Sequence, residues 1–275
     1  MRKKEKLFHS TNKKTVASLG LSSYDADGTL VLNEVYVKAY EISKNIMKNT
    51  HTKDNKEKIR FIYLSSDGIS CQLFMVVYFE SIDDVERFES QYSLTGIKFN
   101  ELINLILSIR DQDREFSLNE YERKKYDLGK YIEQIEYEDK FKAIEFLKHP
   151  IQCQSELFSF LKKMELPYIF VVEKQDIEKE DLENILRQME RKYNMKPSVD
   201  KEFAFGYLSL IVFSQDEETL DIGLESLKKM LTNEGFVVDI GSLNDKQAYE
   251  YHTSLGIFSK NLNSLMSKKV LEAFL

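Results

Sequence analysis

Two apolar runs, "IRFIYLSS" and "ISCQLFMVVYFES", are separated only by Asp67-Gly68. Glycine accepts the positive φ that a tight hairpin turn requires, so this step folds the two runs back on each other as antiparallel strands. The same signal occurs earlier, at Asp27-Gly28 within "TVASLGLSSYDADGTLVLNEVYVKAYEI". After that turn Leu30 and Leu32 alternate with polar neighbours, and Val35, Val37 and Ala39 alternate with Tyr36, Lys38 and Tyr40. "THTKDNKEK" (Thr50 to Lys58) reads as a polar loop between the two strand pairs. Residues 1–80 therefore read as an N-terminal β-hairpin region.

The period changes after Ser81. "SIDDVERFESQY" places Ser81 as an N-cap and acidic residues in the first helical turn, where they suit the helix dipole. "KFNELINLILSIR" puts Phe99, Leu102, Ile103, Ile106 and Ile109 on one helical face. "SLNEYERKKYDLGKYIEQIEYEDKFKAIEFLKH" reads as a second, charge-rich helical region broken near Gly129, and "QSELFSFLKKM" follows Pro150. Residues 81–166 thus form a helical insertion.

The last third returns to strands. "PYIFVVE" is a strand, "EKEDLENILRQMERKYN" a helix, "FAFGYLSLIVFS" a long strand, "DEETLDIGLESLKKMLTNEG" a helix with glycine at its C-terminal boundary, and "FVVDI" a strand. That order over residues 167–245 is a ferredoxin-like βαβαβ pattern, with the motif's missing strand expected near Pro197 to Lys201. The fold class is α+β: antiparallel sheets with a helical insertion. Residues 246–275 read as a connector.

Composition narrows the function. The 18 Phe and 15 Tyr can fill a large core, while 3 Pro and 10 Gly argue against long linkers. A net charge of -7 gives no global attraction to nucleic acid or anionic lipid. The exception is the basic start, Arg2, Lys3, Lys4, Lys6, Lys13 and Lys14, which reads as solvated terminal charge or as a contact for phosphates. Cys71 and Cys153 suit a reducing compartment, with Cys71 expected as a buried small hydrophobe. The longest apolar runs, "LFMVVYF" and "YLSLIVF", are too short to span a bilayer, and the reading is cytoplasmic.

The motifs of common chemistries are missing. Gly129-Lys130 lacks the preceding glycine and the following Ser or Thr of a P-loop, and no G-x-G-x-x-G occurs. His9, His51, His149 and His252 are far apart in sequence, without metal-ligand spacing; His149 with Cys153 has no orienting third group. There is no G-x-S-x-G elbow. Phe203, Phe205 and Tyr207 share one strand face opposite Ala204, Gly206 and Leu208, which leaves open an exposed aromatic face for nucleic acid. No catalytic, cofactor-binding or metal-ligating residue is assigned.

The C-terminal part nevertheless carries a family pattern. "FAFGYLSLIVFSQDEETLDIGLESLKKMLTNEGFVVDI", then "KQAYEYHTSLGIFSKN", then "LMSKKVLEAFL", resembles the N-terminal domain of the large conjugation ATPases of type IV secretion systems. In that family a strand and helix of this kind precede a segment Q-x-x-a-f-x-s-x-L-P-l-g-x-n, matched here by Gln247, Tyr251, Ser254, Leu255 and Asn261. Leu271, Ala273 and Phe274 match the approach to the motor domain, and "LGLSSYDADGTLVLNEVYVKAYEI" resembles the family's opening. Gly256 departs from the pattern, standing where the family usually has Pro. The resemblance implies a non-catalytic assembly domain whose motor, with its ATP and Mg, lies in a C-terminal part beyond this sequence. It implies partners among secretion subunits at the inner membrane face, contact with the chain's own motor domain, a place for self-association, peripheral membrane association, and no direct contact with nucleic acid. On that reading Lys246 to Asn261 is a connector. The alternative left by the residues alone is a stand-alone α+β protein with a small-molecule pocket between the C-terminal sheet and the helical insertion.

Overall fold

The computed structural model describes residues 21–24, 30–32, 35–52, 57–97, 140–150, 161, 163–193, 202–241 and 264–274. In chain order its elements are β1 (Leu21–Tyr24), β2 (Leu30–Leu32), β3 (Val35–Glu41), α1 (Lys44–Thr52), β4 (Lys58–Ser65), β5 (Gln72–Phe79), α2 (Ile82–Tyr92) and β6 (Gly96–Ile97). There follow β7 (Lys140–Lys148), β8 (Tyr168–Asp176), α3 (Lys179–Tyr193), β9 (Phe203–Ser214), α4 (Glu217–Asn233), β10 (Val237–Ile240), β11 (Ser264–Ser267) and α5 (Lys268–Glu272). The class is α+β.

Among the described residues every strand joins one sheet, in the order β1-β2-β3-β5-β4-β8-β9-β7-β10, with β6 on β3 and β11 on β9. Cut between β4 and β8, that order reads the same way twice. The first half runs β6-β3-β5-β4, which is fourth, first, third and second in its own chain order. The second half runs β10-β7-β9-β8, again fourth, first, third and second. Helices link first to second strand (α1) and third to fourth strand (α2, α4). This is the ferredoxin-like arrangement, present twice. The seam between the units pairs their second strands antiparallel, from Ile59 opposite Lys174 to Ser65 opposite Tyr168.

Alternation along the strands divides the sheet into two faces. Ile59, Phe61 and Tyr63 of β4, Met75 and Val77 of β5, Phe170 and Val172 of β8, and Leu208 and Leu210 of β9 enter the main hydrophobic cluster. Onto that face pack Met47 of α1, Val85 and Phe88 of α2, Leu220, Leu224, Leu227 and Leu231 of α4, and Val270 and Leu271 of α5. The opposite side chains, among them Ile62, Leu64, Phe74, Val76, Ile169, Val171 and Ile211, are buried as well. Strands covered on both faces read as continuous apolar runs, which is why "YIFVV" and "YLSLIVF" show no clean alternation.

Local chemistry sets the element ends. Ser81 Oγ accepts from Asp84 N at 3.2 Å while Ser81 Oγ donates to Asp84 Oδ2 at 2.6 Å, a reciprocal cap at the start of α2. Asp216 Oδ2 accepts from Thr219 N at 2.8 Å to open α4. Gly68, at φ +74°, turns β4 into β5 and lies against the backbone of Glu165 and Leu166, where a Cβ would come within 2.3 Å of the Glu165 carbonyl carbon. No helix among the described residues is long and apolar enough to cross a membrane.

Several sequence expectations are corrected. Lys140–Lys148, expected as the end of a charge-rich helix, is a strand, and it is the first strand of the second unit. Its apolar residues serve two faces, Ala143 on one and Ile144 with Phe146 on the other, so their spacing imitates a helix. The missing ferredoxin-like strand is therefore here; residues 197–201, where it was expected, lie outside the described set. The boundary at residue 80 cuts through the first unit, because α2 and β6 complete it, and most of the proposed helical insertion (98–139) lies outside the described residues. Lys44–Thr52, with no acidic residue in its first turn, was not expected as a helix. Residues 264–274, expected as part of a connector, form a strand and helix of the sheet and core, because Met266, Val270, Leu271 and Phe274 are apolar and 0–1% exposed.

Candidate functional site

The densest polar cluster lies at the seam. Arg60 and Glu173 are directly opposite in the β4–β8 ladder and are 0% and 2% exposed. Arg60 Nη2 donates to Glu173 Oε2, and Lys58 Nζ forms an ion pair with Oε1 at 2.7 Å. Burial opposes ionisation of Glu173, but Arg60 and then Lys58 outweigh it and hold the carboxyl below its ordinary range. One carboxylate therefore faces two cations on a buried sheet face. Slipping the ladder by one residue would turn Arg60 to the other face, so the pair fixes the register in which the two units meet. Tyr207, opposite Glu173 on β9, has its phenol pushed upward by burial.

Lys58 leads from this cluster to the surface. Its ammonium stands 5.2 Å from the centre of the Tyr78 ring, a cation–π distance. Beside it opens a cavity of about 410 Å³ lined by Glu57, Lys58, Tyr78, Glu80, Asp84, Arg87 and their neighbours. The charges there are mixed and partly mutually satisfied: Arg87 Nη2 meets Asp84 Oδ1 at 3.0 Å. The cavity sits at the end of the sheet beside α2, and Gln175 of β8 also lines it.

The C-terminal segment makes a second constellation that spans both units. Tyr63 Oη donates to the Phe274 carbonyl at 2.7 Å and lies 3.1 Å from Met47 Sδ, both on the first unit's side. The Phe274 ring sits 5.4 Å from Phe170 and 5.7 Å from Phe236, on the second unit's side. Asp176 bridges Lys174 at 3.0 Å and Lys268 at 3.1 Å, tying β8 to α5. Where β11 begins, Ser264 Oγ lies 2.9 Å from His149 Nε2 and 3.3 Å from the Gly206 carbonyl. The other ring nitrogen of His149 is buried and has no hydrogen-bond partner among the described residues. Burial lowers the His149 pKa, so this imidazole is held neutral.

At the Asp67 turn, Asp67 Oδ1 accepts from Ile69 N at 2.8 Å and Ser70 N at 2.7 Å, and Ser70 Oγ donates to Oδ2. These bonds, led by Ser70's hydroxyl, lower the Asp67 pKa to about 2. Cys71 just beyond is exposed and precedes β5, contrary to the expected burial; the turn residues hold it outside the ladder.

Of the residues singled out in the sequence, the structure brings His149 to Ser264, while Cys153, His9 and His252 lie outside the described residues. Gln247, Tyr251, Ser254, Leu255, Gly256 and Asn261 also lie outside. Leu271 and Phe274 are in the core. Tyr207 is buried and Phe203 and Phe205 are half-buried, so the aromatic face of β9 is largely covered. Among the described residues no three His, Cys, Asp or Glu side chains converge as a metal site would require. The seam pair was missed by sequence reading; its only signal was a charge inside each of two apolar runs, Arg60 in "KIRFIYL" and Glu173 in "FVVEK".

No protein-family model matches the chain, and no curated protein does. Among solved structures, a BBE-like protein (number 28) of Arabidopsis thaliana is similar at 12% identity and a TM-score of 0.34, covering 73% of this chain. The chain spans 42% of that protein's length, and a similarity of this size carries no functional argument.

Proposed function

We propose that the chain is a non-catalytic assembly domain of a conjugative-transfer ATPase of the type IV secretion class. It docks the motor to membrane-associated secretion subunits, and ATP and Mg belong to the motor domain. The observation that carries this reading is the anchoring of Leu271–Phe274, the same residues that carry the C-terminal family resemblance. Phe274 is 0% exposed, its carbonyl is held by Tyr63 of the first unit, and Lys268 is held by Asp176 of the second. A domain following this segment would be fixed to both units at once, which is what a docking platform needs. The proposal extends to peripheral attachment at the inner membrane face.

The test has two arms. The gene read past Leu275 is expected to continue in frame into a P-loop, and the purified chain is expected to leave ATP unhydrolysed while retaining inner-membrane secretion subunits in a pull-down. A stop codon directly after Leu275, or ATP turnover by this chain, would refute the reading.

The cavity beside Lys58 and Arg87 favours a second reading, a small-molecule-binding protein, since its size suits a metabolite. A thermal-shift screen of nucleotides and metabolites separates the two: a ligand at 100 times its dissociation constant adds roughly 2.7 kcal/mol. No shift with any compound would count against this second reading.

A further inference from the structure

The cavity beside Lys58 is lined by charges of both signs, and they differ in how far each is already answered. Asp84 is closed: its Oδ1 meets Arg87 at 3.0 Å and its Oδ2 accepts from Ser81 Oγ at 2.6 Å. Lys58 is answered only in part. Its partners among the described residues are the Tyr78 ring and Glu173, and that carboxylate is shared with Arg60. An ammonium carries three donors, so Lys58 keeps capacity for a further acceptor, and its side chain is 21% exposed on the cavity wall. Glu57 and Glu80 are not answered: neither carboxylate makes a hydrogen bond or ion pair among the described residues.

This pattern selects among ligands. A phosphate group would meet Lys58 but would also face two free carboxylates, and a neutral sugar would leave all three charges without a counterpart. A free amino acid supplies what is missing, a carboxylate for Lys58 and an ammonium for the glutamates. A basic amino acid supplies a second ammonium, one for each of Glu57 and Glu80. The cavity's volume, about 410 Å³, lies near the lower end of the roughly 300–1,000 Å³ of small-molecule sites, which suits a ligand of this size better than a dinucleotide. Gln175 adds a neutral amide, donor and acceptor in one, to the same lining.

We infer that this cavity is a site for a free amino acid, in which Lys58 binds the α-carboxylate, Glu57 and Glu80 bind ammonium groups, and basic side chains are preferred. The inference rests on the second reading above, that the cavity holds a small molecule, and gives that molecule a chemical class.

Isothermal titration of the full chain with L-lysine, L-leucine and L-glutamate, then with L-leucinamide and N-acetyl-L-leucine, is the test. L-lysine should bind most tightly of the three amino acids and L-glutamate least. Leucinamide and N-acetylleucine should each bind at least about tenfold more weakly than leucine, since each lacks one charge-assisted contact. In Lys58→Met leucine and leucinamide should bind alike. In Glu57→Gln with Glu80→Gln leucine and N-acetylleucine should bind alike, and the preference for lysine over glutamate should vanish. These are ratios within one variant, so a general weakening of the fold does not imitate them, and the glutamate variant decides the matter even if Lys58→Met unfolds. Amino-acid binding whose ratios ignore these substitutions would overturn the inference, as would leucinamide bound as tightly as leucine by the unaltered chain. A nucleotide or sugar phosphate that stabilises the chain while no amino acid binds would overturn it too, yet leave the small-molecule reading standing. No ligand from either set would end both.

Discussion

The two ferredoxin-like units share a strand order and differ in what is attached to it. In the first, β3 pairs with β5 along one side and divides its other side between β2, opposite Val35–Val37, and β6, opposite Ala39 and Tyr40. In the second, it is β9 that is shared: β8 runs along one side, while β7 covers Ser209–Ser214 and β11 covers Phe203–Gly206 on the other. The first unit thus recruits the chain's early strands and the second its last ones. An open strand edge is a liability, and each unit closes its own with whatever segment the chain brings near. What makes the halves one body is the seam and the C-terminal segment that reaches across it.

Breaking the seam should have the largest effect. Arg60→Ala strips the principal cation from buried Glu173 and is expected to cost about 3–5 kcal/mol, measured by urea unfolding. Arg60→Met combined with Glu173→Leu should recover most of that loss, since apolar replacement of a buried pair is often neutral. Recovery would separate the pair's role in register from any net stabilisation.

Loosening the clamp comes next. Phe274→Ala is expected to cost about 3 kcal/mol, the usual range for a buried Phe. Tyr63→Phe, which removes only the bond to the Phe274 carbonyl, should cost about 1 kcal/mol. If Phe274→Ala also splits a single melting transition into two, the units depend on this segment for their coupling.

A turn comparison sharpens the difference between crowded and open sites. Gly68 and Gly241 both have φ near +74°, but a Cβ meets backbone at Gly68 and nothing within 4 Å at Gly241. Gly241→Ala should cost about 1 kcal/mol from backbone strain alone. Gly68→Ala should cost about 1–3 kcal/mol more, because Glu165 and Leu166 must move.

The smallest effects are in pH dependence. Asp67, lowered to about 2 from 3.8, binds its proton less readily when folded, so its contribution is present above about 4 and fades as the pH falls toward 2. Asp67→Asn should flatten stability over that window. His149 is lowered from 6.5 by burial, so the folded state resists its protonation, and stability should fall as the pH drops below 6.5. His149→Gln should remove that slope, measured as melting temperature between pH 7 and pH 5.

Much of the sheet was legible in the sequence because its signals are local. The Asp67-Gly68 turn, the Ser81 cap and Gly235 after α4 each act within a few residues. Periodicity hinted at two comparable sheet units, the N-terminal hairpins and the C-terminal βαβαβ, but no sequence repeat proves a duplication, because it resides in strand order and the two units close their edges with different segments. Lys140–Lys148 was misread because a strand buried on two faces offers helix-like spacing. The seam pair was hidden for a different reason: Arg60 and Glu173 are 113 residues apart, and each alone reads as an ordinary charge in a strand.

The central claim is that β4 and β8 are interior strands of one continuous sheet. Hydrogen exchange followed residue by residue tests it directly, since separate units would leave β4 and β8 as edges with a row of unpaired amides. The account predicts that amides of Ile59–Leu64 and Ile169–Lys174 are protected on both alternating sets and exchange among the slowest in the protein. Rapid exchange of every second amide along both strands would contradict it.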